Sequence, residues 1–299
     1  MIVPPPVVAG GTIGVVALGG AVKPDALDRG VTWLESRGFR VRLGEHVLDR
    51  RRYCAGEPAL RLADLERMFR DPEVGAVMCA RGGYGTTHLL PLLDPALVVA
   101  HPKLIIGYSD VSPLLGNVID RCGVVALHGP MVATDLATGL TEHAADRLCA
   151  LLAAPAAAWR EPVVDVVVAG AATGRLVGGC LSSLVALLGT PYAIETDEAV
   201  LFLEDVAERP YRIDRMLTHL RLAGKFERVA AVVLGSFADC DGTEADDVVA
   251  EVFRDFFAAA PFPVVAGFPA GHRSENLSLT LGLPFRVDTY AGYVEALAA

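Results

Sequence analysis

The sequence predicts an α/β fold, in which a parallel β-sheet with helices on both faces is followed by a more β-rich region. Short apolar segments alternate with amphipathic segments through the first half of the 299 residues, which is the pattern of consecutive β-α-β units. Hydrophobic residues make up 53% of the chain and charged residues 21%, so a large core is expected and wholesale disorder is excluded. The most chemically informative motifs directly follow apolar segments, and parallel sheets bind ligands at the carboxyl ends of their strands.

The first half of the chain contains five predicted strands separated by helical segments. The strands are TIGVVAL (12–18), FRVRL (39–43), GAVMCA (75–80), KLIIGY (103–108) and GVVALHG (123–129). The helical segments run from near Pro24 to Gly38, through LRLADLERMFRD (60–71) and through VSPLLGNVIDRC (111–122).

A change of composition marks a predicted domain boundary. The segment AADRLCALLAAPAAAWREP (144–162) is rich in alanine and predicts a helix that runs into Pro155 and Pro162. Beyond it, strand segments predominate and alternate less regularly with helices. The sequence therefore predicts an N-terminal α/β domain at 1–155 and a β-rich α+β domain at 165–299.

Charge, cysteine content and motifs exclude several classes of partner. The net charge is −10 and the cations are scattered, whereas binding to a nucleic-acid backbone needs clustered Lys and Arg. The six cysteines lie far apart without metal-ligand spacing, so we expect reduced thiols in a cytoplasmic protein. The apolar N-terminal segment lacks a basic flank and no long apolar run follows, so we expect no signal peptide and no membrane contact. The chain has no H-E-x-x-H, P-loop or dinucleotide motif, so we expect neither a metal nor a cofactor.

A glycine-rich segment follows the third predicted strand. Residues 81–86, RGGYGT, are called the glycine loop below and include Gly82, Gly83 and Gly85. Glycines let the backbone approach a ligand closely, and their N–H groups can form an anion site or an oxyanion hole. A tight turn between a strand and a helix would explain the same glycines.

The segment GYSD (107–110) places Ser109 between a predicted strand and a predicted helix. This is the layout of a nucleophile elbow, in which the N–H after the serine lies at the helix N-terminus and can bind an oxyanion. The second glycine of the G-x-S-x-G motif is missing. Ser109 or Asp110 could instead only cap the helix, and the local sequence leaves both interpretations open.

A candidate acid and a candidate base follow later strands. Glu204 and Asp205 end the apolar segment AVLFLED, where a buried carboxylate needs a partner. His272 lies in the loop GFPAGHRSEN, and a histidine in such a loop can act as a general base. His128 in the segment LHGP is the rival base.

Ser109, Glu204 and His272 occur in the chain order serine, acid, histidine. A serine needs a base to become nucleophilic, and the base needs an acid to fix its tautomer. This order is shared with α/β-hydrolases, but only geometry defines a triad.

Six segments together resemble the LD-carboxypeptidases, a family of serine peptidases, from about residue 10 to the C-terminus. They are CARGGYGTTHLLPLLD, IIGYSDVSPLL, LHGP, GGCLSSLVALLGTPY, LFLEDVAERPYRIDRMLTHLRLAG and GHRSENLSLTLG, in this order. The resemblance implies a Rossmann- or flavodoxin-like N-terminal domain that carries the nucleophile. It also implies a β-rich C-terminal domain that carries the acid and the base, an active site in the cleft between the two domains, and a homodimer.

The same resemblance implies a role for each candidate residue. Ser109 would be the nucleophile, Glu204 the acid and His272 the base. The oxyanion hole would consist of the backbone N–H groups of Asp110 and of Gly82 or Gly83.

The activity that the resemblance implies is metal-independent hydrolysis of the L,D-peptide bond before the terminal D-Ala of a murein tetrapeptide, during peptidoglycan recycling. The expected partner is therefore a small peptide or muropeptide. A carboxypeptidase must bind a free carboxylate, for which Arg81 and Arg273 are candidates, and Tyr84 is a further candidate contact. Two departures from the family pattern, the turn VVALGG and Thr280, leave the triad intact and could change the pocket.

Three other functions stay open at this point. One is a peptidase similar to the microcin C self-immunity proteins, which would act on a peptidyl or aminoacyl nucleotide. Another is a binding protein without turnover, whose glycine loop would hold a nucleotide. The last is an amidotransferase-like enzyme that depends on Cys79, although this cysteine is expected inside a strand.

Overall fold

The predicted parallel sheet forms the centre of the first of two units in the chain. The structure is a computed structural model that describes residues 1–241 and 247–298. The first unit comprises Met1–Ala156 and Ser274–Gly282, and the second comprises Ala157–Arg273 and Leu283–Ala299. The chain therefore returns to the first unit at 274–282, which the continuous ranges predicted from the sequence do not include.

The described residues form fourteen strands and eight α-helices. The strands are β1 Thr12–Val16, β2 Arg40–Leu43, β3 Val74–Cys79, β4 Leu104–Gly107, β5 Ala126–His128, β6 Trp159–Pro162, β7 Asp165–Val168, β8 Ala171–Cys180, β9 Ala199–Val206, β10 Ala231–Ala238, β11 Val264–Ala266, β12 Leu279–Leu281, β13 Pro284–Asp288 and β14 Tyr293–Ala296. The helices are α1 Pro24–Ser36, α2 Pro58–Arg70, α3 Pro95–Ala100, α4 Ser112–Cys122, α5 Glu142–Ala153, α6 Leu181–Val185, α7 Pro210–Leu222 and α8 Val248–Phe257. Short helical turns occupy Thr86–Leu89, Ser109–Val111 and Val132–Leu136.

The sheet of the first unit has the strand order β12-β5-β4-β3-β1-β2. Strands β1 to β5 are parallel, and β12 pairs with β5 in the antiparallel direction. The order 2-1-3-4-5 is that of flavodoxin-like folds, so the predicted fold class of this unit is confirmed. In such a sheet the strand order reverses between β1 and β3, and ligands bind at the carboxyl ends of the strands near this point.

Sequence signals at the helix ends match the predicted helices of the first unit. Helix α1 begins with Pro24, since a proline in the first turn loses no hydrogen bond. Helix α4 ends at Gly123, which has a φ of 64° and adopts the left-handed conformation that glycine tolerates best. Strand β1 is buried along its whole length, which explains why it reads as an uninterrupted apolar run.

The prediction of a helix through 144–162 is wrong in its second half. Helix α5 ends at Ala153, and Trp159–Pro162 forms strand β6, which pairs with β14. The residue before a proline disfavours helical backbone, so Pro155 ends the helix despite the alanines that follow it.

The second unit contains an eight-stranded mixed sheet in the order β6-β14-β13-β8-β9-β10-β11-β7. Its four central strands, β8 to β11, are parallel, and the strands on both sides of them are antiparallel. This confirms the β-rich second region. Within residues 1–241 and 247–298, no helix combines the length and apolar character needed to cross a membrane.

Candidate active site

Ser109 follows β4 and has backbone geometry that is unusual for a residue with a side chain. Its φ is 61°, in the left-handed region that costs a residue other than glycine about 1–2 kcal/mol. The turn Ser109–Val111 then leads directly into α4. A strained serine on a sharp turn between a strand and a helix matches the geometry of a nucleophile elbow.

The side chain of Asp110 bonds to the glycine loop and does not cap the following helix. The Asp110 carboxylate accepts hydrogen bonds from the Thr86 N–H at 2.9 Å and the Thr86 hydroxyl at 2.7 Å. It also accepts a longer hydrogen bond from the Gly85 N–H at 3.3 Å. Helix α4 has no side-chain hydrogen bond at its N-cap, Val111. Asp110 therefore anchors the glycine loop.

Gly82 lies directly against Ser109. A Cβ atom added to Gly82 would lie 2.9 Å from the Ser109 Cβ and 3.0 Å from its Oγ, so only glycine fits there without a shift. Gly83 is exposed and has a φ of 104°, which also favours glycine. Among the described residues, neither the Gly82 N–H nor the Gly83 N–H has an acceptor, so both are available to a ligand.

The turn after β1 packs beneath the glycine loop. The Gly20 N–H donates to the Gly82 carbonyl at 2.8 Å. A Cβ added to Gly19 would lie 2.6 Å from Asp110 Oδ2 and 2.9 Å from the Gly82 oxygen. The segment VVALGG, which departs from the family pattern, thus supplies two glycines that let the loops after β1, β3 and β4 approach one another.

Glu204 and His272 form a hydrogen-bonded pair in the second unit. Glu204 is fully buried in β9, and His272 lies half-buried in the loop after β11. The His272 Nδ1 lies 2.7 Å from Glu204 Oε2. A carboxylate at this distance favours the tautomer with the proton on Nδ1, which leaves Nε2 as the basic nitrogen.

The loop before His272 allows this close approach. Gly271 has a φ of 112°, and a Cβ added to it would lie 2.6 Å from Glu204 Oε2. Any larger residue would therefore displace the carboxylate or the loop that carries the imidazole.

Burial dominates the electrostatics of Glu204. Burial raises the pKa of this carboxyl group, the hydrogen bond from His272 and its charge oppose the rise, and the charge of Asp205 adds to it. Oε1 of Glu204 has no hydrogen-bond partner among the described residues. The carboxylate consequently depends on His272 for its stabilisation.

Asp205 has a different environment from its neighbour. Its carboxylate accepts from the Ser182 N–H at 2.7 Å and from the Ser182 hydroxyl at 3.3 Å. This position at the start of α6 favours a structural role, since a carboxylate satisfies free N–H groups at a helix N-terminus.

The three predicted substrate contacts differ in their surroundings. Arg81 is half-buried, with its Nη1 donating to the Ala21 carbonyl at 3.1 Å. Its Nε is buried without a partner among the residues that the structure describes. Tyr84 is half-exposed and packs edge-on against Tyr53, with ring centroids 5.7 Å apart. Arg273 is exposed.

The two rival residues are buried. Cys79 ends β3, where burial raises the pKa of its thiol to about 12, so the reactive thiolate is disfavoured at neutral pH. His128 is fully buried in β5, with its ring centroid 5.5 Å from that of Tyr108.

Arg61 was not predicted as part of this region. It lies in α2 with 1% of its surface exposed, and it donates from Nη1 to the Gly85 carbonyl at 2.9 Å. The sequence did contain a signal. Arg61 occupies the helical stripe of Leu65, Met68 and Phe69, where an arginine is rarely buried without a specific partner.

Comparison with known proteins identifies the family. Residues 13–129 match the N-terminal domain of the LD-carboxypeptidases, and residues 173–287 match their C-terminal domain. The murein tetrapeptide carboxypeptidase of Pseudomonas aeruginosa is 36% identical, across 91% of this chain and 91% of that protein. The chain belongs to the LD-carboxypeptidase family. The resemblance seen in the sequence and the prediction of an LD-carboxypeptidase enzyme are therefore confirmed.

Two further relatives represent the two branches considered for this family. The crystal structure of muramoyltetrapeptide carboxypeptidase from Oxalobacter formigenes superimposes with a TM-score of 0.86 at 29% identity, across 95% of this chain and 97% of that chain. The microcin C7 self-immunity protein MccF of Escherichia coli is 25% identical, across 95% of this chain and 92% of that protein. This chain is thus similar over nearly its whole length both to a muramoyltetrapeptide carboxypeptidase and to a microcin self-immunity protein.

Proposed function

We propose that this LD-carboxypeptidase hydrolyses the L,D-peptide bond before the terminal D-Ala of a murein tetrapeptide, with Ser109, His272 and Glu204 as its catalytic triad. The observation that carries the proposal is the hydrogen bond between His272 Nδ1 and the buried Glu204 carboxylate at 2.7 Å. This hydrogen bond favours the tautomer in which Nε2 is the basic nitrogen, and Nε2 can then accept a proton from a serine hydroxyl. The murein tetrapeptide named for the relative from P. aeruginosa supports the choice of substrate.

In the first half of the proposed reaction, Ser109 is acylated. His272 Nε2 accepts the hydroxyl proton while Ser109 Oγ bonds to the carbonyl carbon of the diamino acid. The tetrahedral oxyanion then collapses and the C–N bond to D-Ala breaks. The imidazolium returns its proton to the leaving amine, and Glu204 stabilises the positive charge on the ring in the meantime.

In the second half, water releases the shortened peptide. His272 accepts a proton from a water molecule, whose oxygen attacks the ester carbon. The ester bond breaks, the proton passes to Ser109 Oγ, and the tripeptide leaves with a new carboxylate. The hydrolysis consumes one water molecule and regenerates the free enzyme.

The N–H groups near Ser109 are the proposed oxyanion donors. These are the N–H of Asp110 and that of Gly82 or Gly83, and the last two have no acceptor among the described residues. Preorganised donors of this kind each contribute roughly 10²–10³ to turnover.

Arg81 is the favoured partner for the carboxylate of D-Ala. Its Nη1 is held by the Ala21 carbonyl, while its buried Nε has no partner among the described residues. A buried N–H donor without a partner is costly, and a ligand carboxylate would satisfy it. Arg273 and Tyr84 are the remaining candidates.

The proposal is tested by measuring D-Ala release from purified murein tetrapeptide. We expect release by the wild type and a loss on the order of 10⁶ in kcat for Ser109→Ala, as for other serine hydrolases that lose their nucleophile. Ser36→Ala, an exposed serine at the end of α1, is the matched control and should keep full activity. Absence of release by the wild type would contradict the substrate, and full activity of Ser109→Ala would contradict the mechanism.

Cleavage of a peptidyl or aminoacyl nucleotide is the second candidate, because the relative MccF carries the name of a microcin self-immunity protein. The same triad would attack the bond to the nucleotide part. Parallel assays with tetrapeptide and with an aminoacyl nucleotide separate the two functions by their kcat/KM values. If the wild type hydrolyses neither the tetrapeptide nor the aminoacyl nucleotide, the result favours the third alternative, a binding protein without turnover.

We further propose that the protein is a cytoplasmic homodimer that takes part in peptidoglycan recycling. Its scattered charge and separated cysteines support the compartment. Light scattering on the purified chain tests the dimer, and fractionation of cells tests the compartment.

A further inference from the structure

We propose that Arg61 and the side chain of Asp110 are positioning residues that hold the glycine loop in the orientation required to bind the oxyanion. This inference rests on the proposed function of Ser109. It concerns two buried charged side chains to which the catalytic mechanism itself assigns no role.

Asp110 ties the glycine loop to the nucleophile turn. Its side chain, which is 5% exposed, accepts from Gly85 N–H and from both donors of Thr86. Its own N–H directly follows Ser109 and is a proposed oxyanion donor. One residue thereby fixes the loop relative to the serine through its side chain while its backbone contributes to the same site.

Arg61 holds the same loop through a different group. Its Nη1 donates to the Gly85 carbonyl at 2.9 Å and also to the Leu18 carbonyl. Its Nη2 lies 3.3 Å from His88 Nδ1. Because Leu18 follows β1 and Gly85 follows β3, a single guanidinium joins the two loops at the point where the strand order reverses.

Gly85 is consequently held on both of its backbone groups. Its N–H is directed to a carboxylate and its C=O to a guanidinium. Its φ of 130° would strain any other residue, and an added Cβ would lie 2.9 Å from Arg61 Nη1, which would have to move. Hydrogen bonds to charged groups are stronger than those between neutral groups, so the two peptide groups that flank the Gly85 Cα are fixed more firmly than those of an ordinary turn.

Burying these charges has a physical cost that a purely apolar turn would avoid. Burial lowers the pKa of Arg61, which the charge of Asp110 opposes, although an arginine stays protonated in proteins. Buried charged groups are tolerated when they are hydrogen-bonded. Both Nη atoms of Arg61 and both carboxylate oxygens of Asp110 have partners, whereas Arg61 Nε has none among the described residues. The bonds to the glycine loop are concentrated on residues 85 and 86, close to Gly82 and Gly83. We infer that the benefit is a loop with little freedom to reorient when the oxyanion forms.

The inference predicts a loss in the chemical step. Loosening the loop should lower kcat and leave KM nearly unchanged, because the oxyanion exists only in the transition state and the intermediates. A purely structural role would instead lower the melting temperature without changing the rate constant of each folded molecule.

The test measures how fast a phosphonofluoridate labels Ser109, since this reaction does not need the peptide substrate. Ser109 Oγ bonds to phosphorus, the P–F bond breaks, fluoride leaves with the electron pair, and the serine proton passes to His272. The phosphoryl oxygen occupies the oxyanion site during the attack. The first-order rate constant does not depend on the amount of folded protein. Amide hydrogen exchange of residues 81–86 provides a second readout of loop order.

Asp110→Asn and Arg61→Met should each slow labelling about 10²-fold, the size of one lost oxyanion donor, and should accelerate exchange in the glycine loop. Thr86→Val removes one of the three bonds to Asp110 and should slow labelling about 5-fold. Arg67→Met is the matched control, because Arg67 lies in the same helix and forms an exposed ion pair with Glu45 at 2.8 Å. It should keep the wild-type rate.

Each outcome decides for or against the inference. Wild-type labelling rates in all three variants would overturn it, as would a failure of the wild type to be labelled. If the larger substitutions prevent folding, Thr86→Val decides alone. Labelling of the wild type without D-Ala release would refute the substrate proposed above, and the labelling rates of the variants would still judge the loop.

Discussion

Asp110 and Glu204 are two buried carboxylates that follow or end parallel strands, yet their surroundings are opposite. Asp110 accepts hydrogen bonds from two backbone N–H groups and one hydroxyl of the glycine loop. Glu204 has one oxygen bonded to the His272 ring, and its other oxygen has no partner among the described residues.

This difference indicates that the Asp110 carboxylate has a structural role, whereas the Glu204 carboxylate interacts with a group whose charge can change. The groups bonded to Asp110 are neutral and cannot change their protonation in the physiological range. The group bonded to Glu204 can, and a proton gained by the imidazole places a positive charge next to a buried negative one. In a low-dielectric site such a change in attraction is large, so only Glu204 is suited to stabilise a charge that appears during the reaction.

Glu204→Gln should give the largest effect on turnover after loss of the nucleophile itself. The amide oxygen can still accept from Nδ1, but the negative charge is gone, and the corresponding change in a serine protease triad lowers kcat about 10⁴-fold. D-Ala release at saturating tetrapeptide measures it. Glu227→Gln, at an exposed position in the same unit, is the control. A loss below about tenfold would contradict the assignment of Glu204 as the triad acid.

Gly82→Ala should lower kcat less than Glu204→Gln does. It changes the glycine loop, which the Asp110 carboxylate anchors. The new Cβ would lie 2.9 Å from the Ser109 Cβ, so the glycine loop must move away from the serine. We expect kcat to fall about 10²-fold, as for the loss of one oxyanion donor.

Gly116→Ala is its matched control, because no atom lies within 4 Å of a Cβ added at this position in α4. It should keep full activity and gain up to about 1 kcal/mol of stability from the better helix former. Equal activity of the two alanine variants would refute the close contact between Gly82 and Ser109.

Glu204→Gln should also stabilise the fold slightly, although it inactivates the enzyme. Burial raises the pKa of Glu204, so the native state binds its proton more tightly than the unfolded chain does. Stability from this group is therefore present at low pH and lost as the pH rises from the unfolded pKa, near 4.3, through the raised native value. Glu204→Gln cannot ionise at this position, so its stability does not fall in this pH range for this reason.

We expect the melting temperature of Glu204→Gln to exceed that of the wild type at neutral pH. The advantage should shrink as the pH approaches 4. Asp110→Asn should instead lower the melting temperature, because it replaces an acceptor with an amide N–H that faces other donors. Scanning calorimetry at several pH values tests both, and a melting temperature of Glu204→Gln below the wild type at every pH would contradict the argument.

Local patterns predicted the fold class, and the same patterns together with the family resemblance predicted the candidate triad. Apolar runs followed by Ser109, Glu204 and His272 are visible without tertiary structure, and a carboxylate ending a buried strand demands a partner. The role of the Asp110 side chain was not visible, since its bonds join residues 24 and 25 positions apart. Arg61 left only a weak signal, a cation within an apolar helical stripe.

The features of the architecture that the sequence did not predict also come from non-local pairing. The alanine-rich segment favours a helix by local propensity, but Trp159–Pro162 pairs with Tyr293–Ala296 to form a sheet edge. Residues 274–282 return to the first unit, where Leu279–Leu281 pairs with Ala126–His128. Neither pairing follows from the sequence around the segment itself.

The smallest effect is expected at Cys79, which lies two residues before the glycine loop and has no role in the proposed reaction. Burial raises the pKa of its thiol to about 12, so only a minute fraction is thiolate at pH 7. Treatment with iodoacetamide at pH 7 should leave Cys79 unmodified by mass spectrometry, and Cys79→Ala should keep the wild-type kcat. If Cys79→Ala lowered kcat as far as Glu204→Gln does, the result would favour Cys79 as the nucleophile. An unchanged kcat would favour Ser109 over Cys79 as the proposed nucleophile.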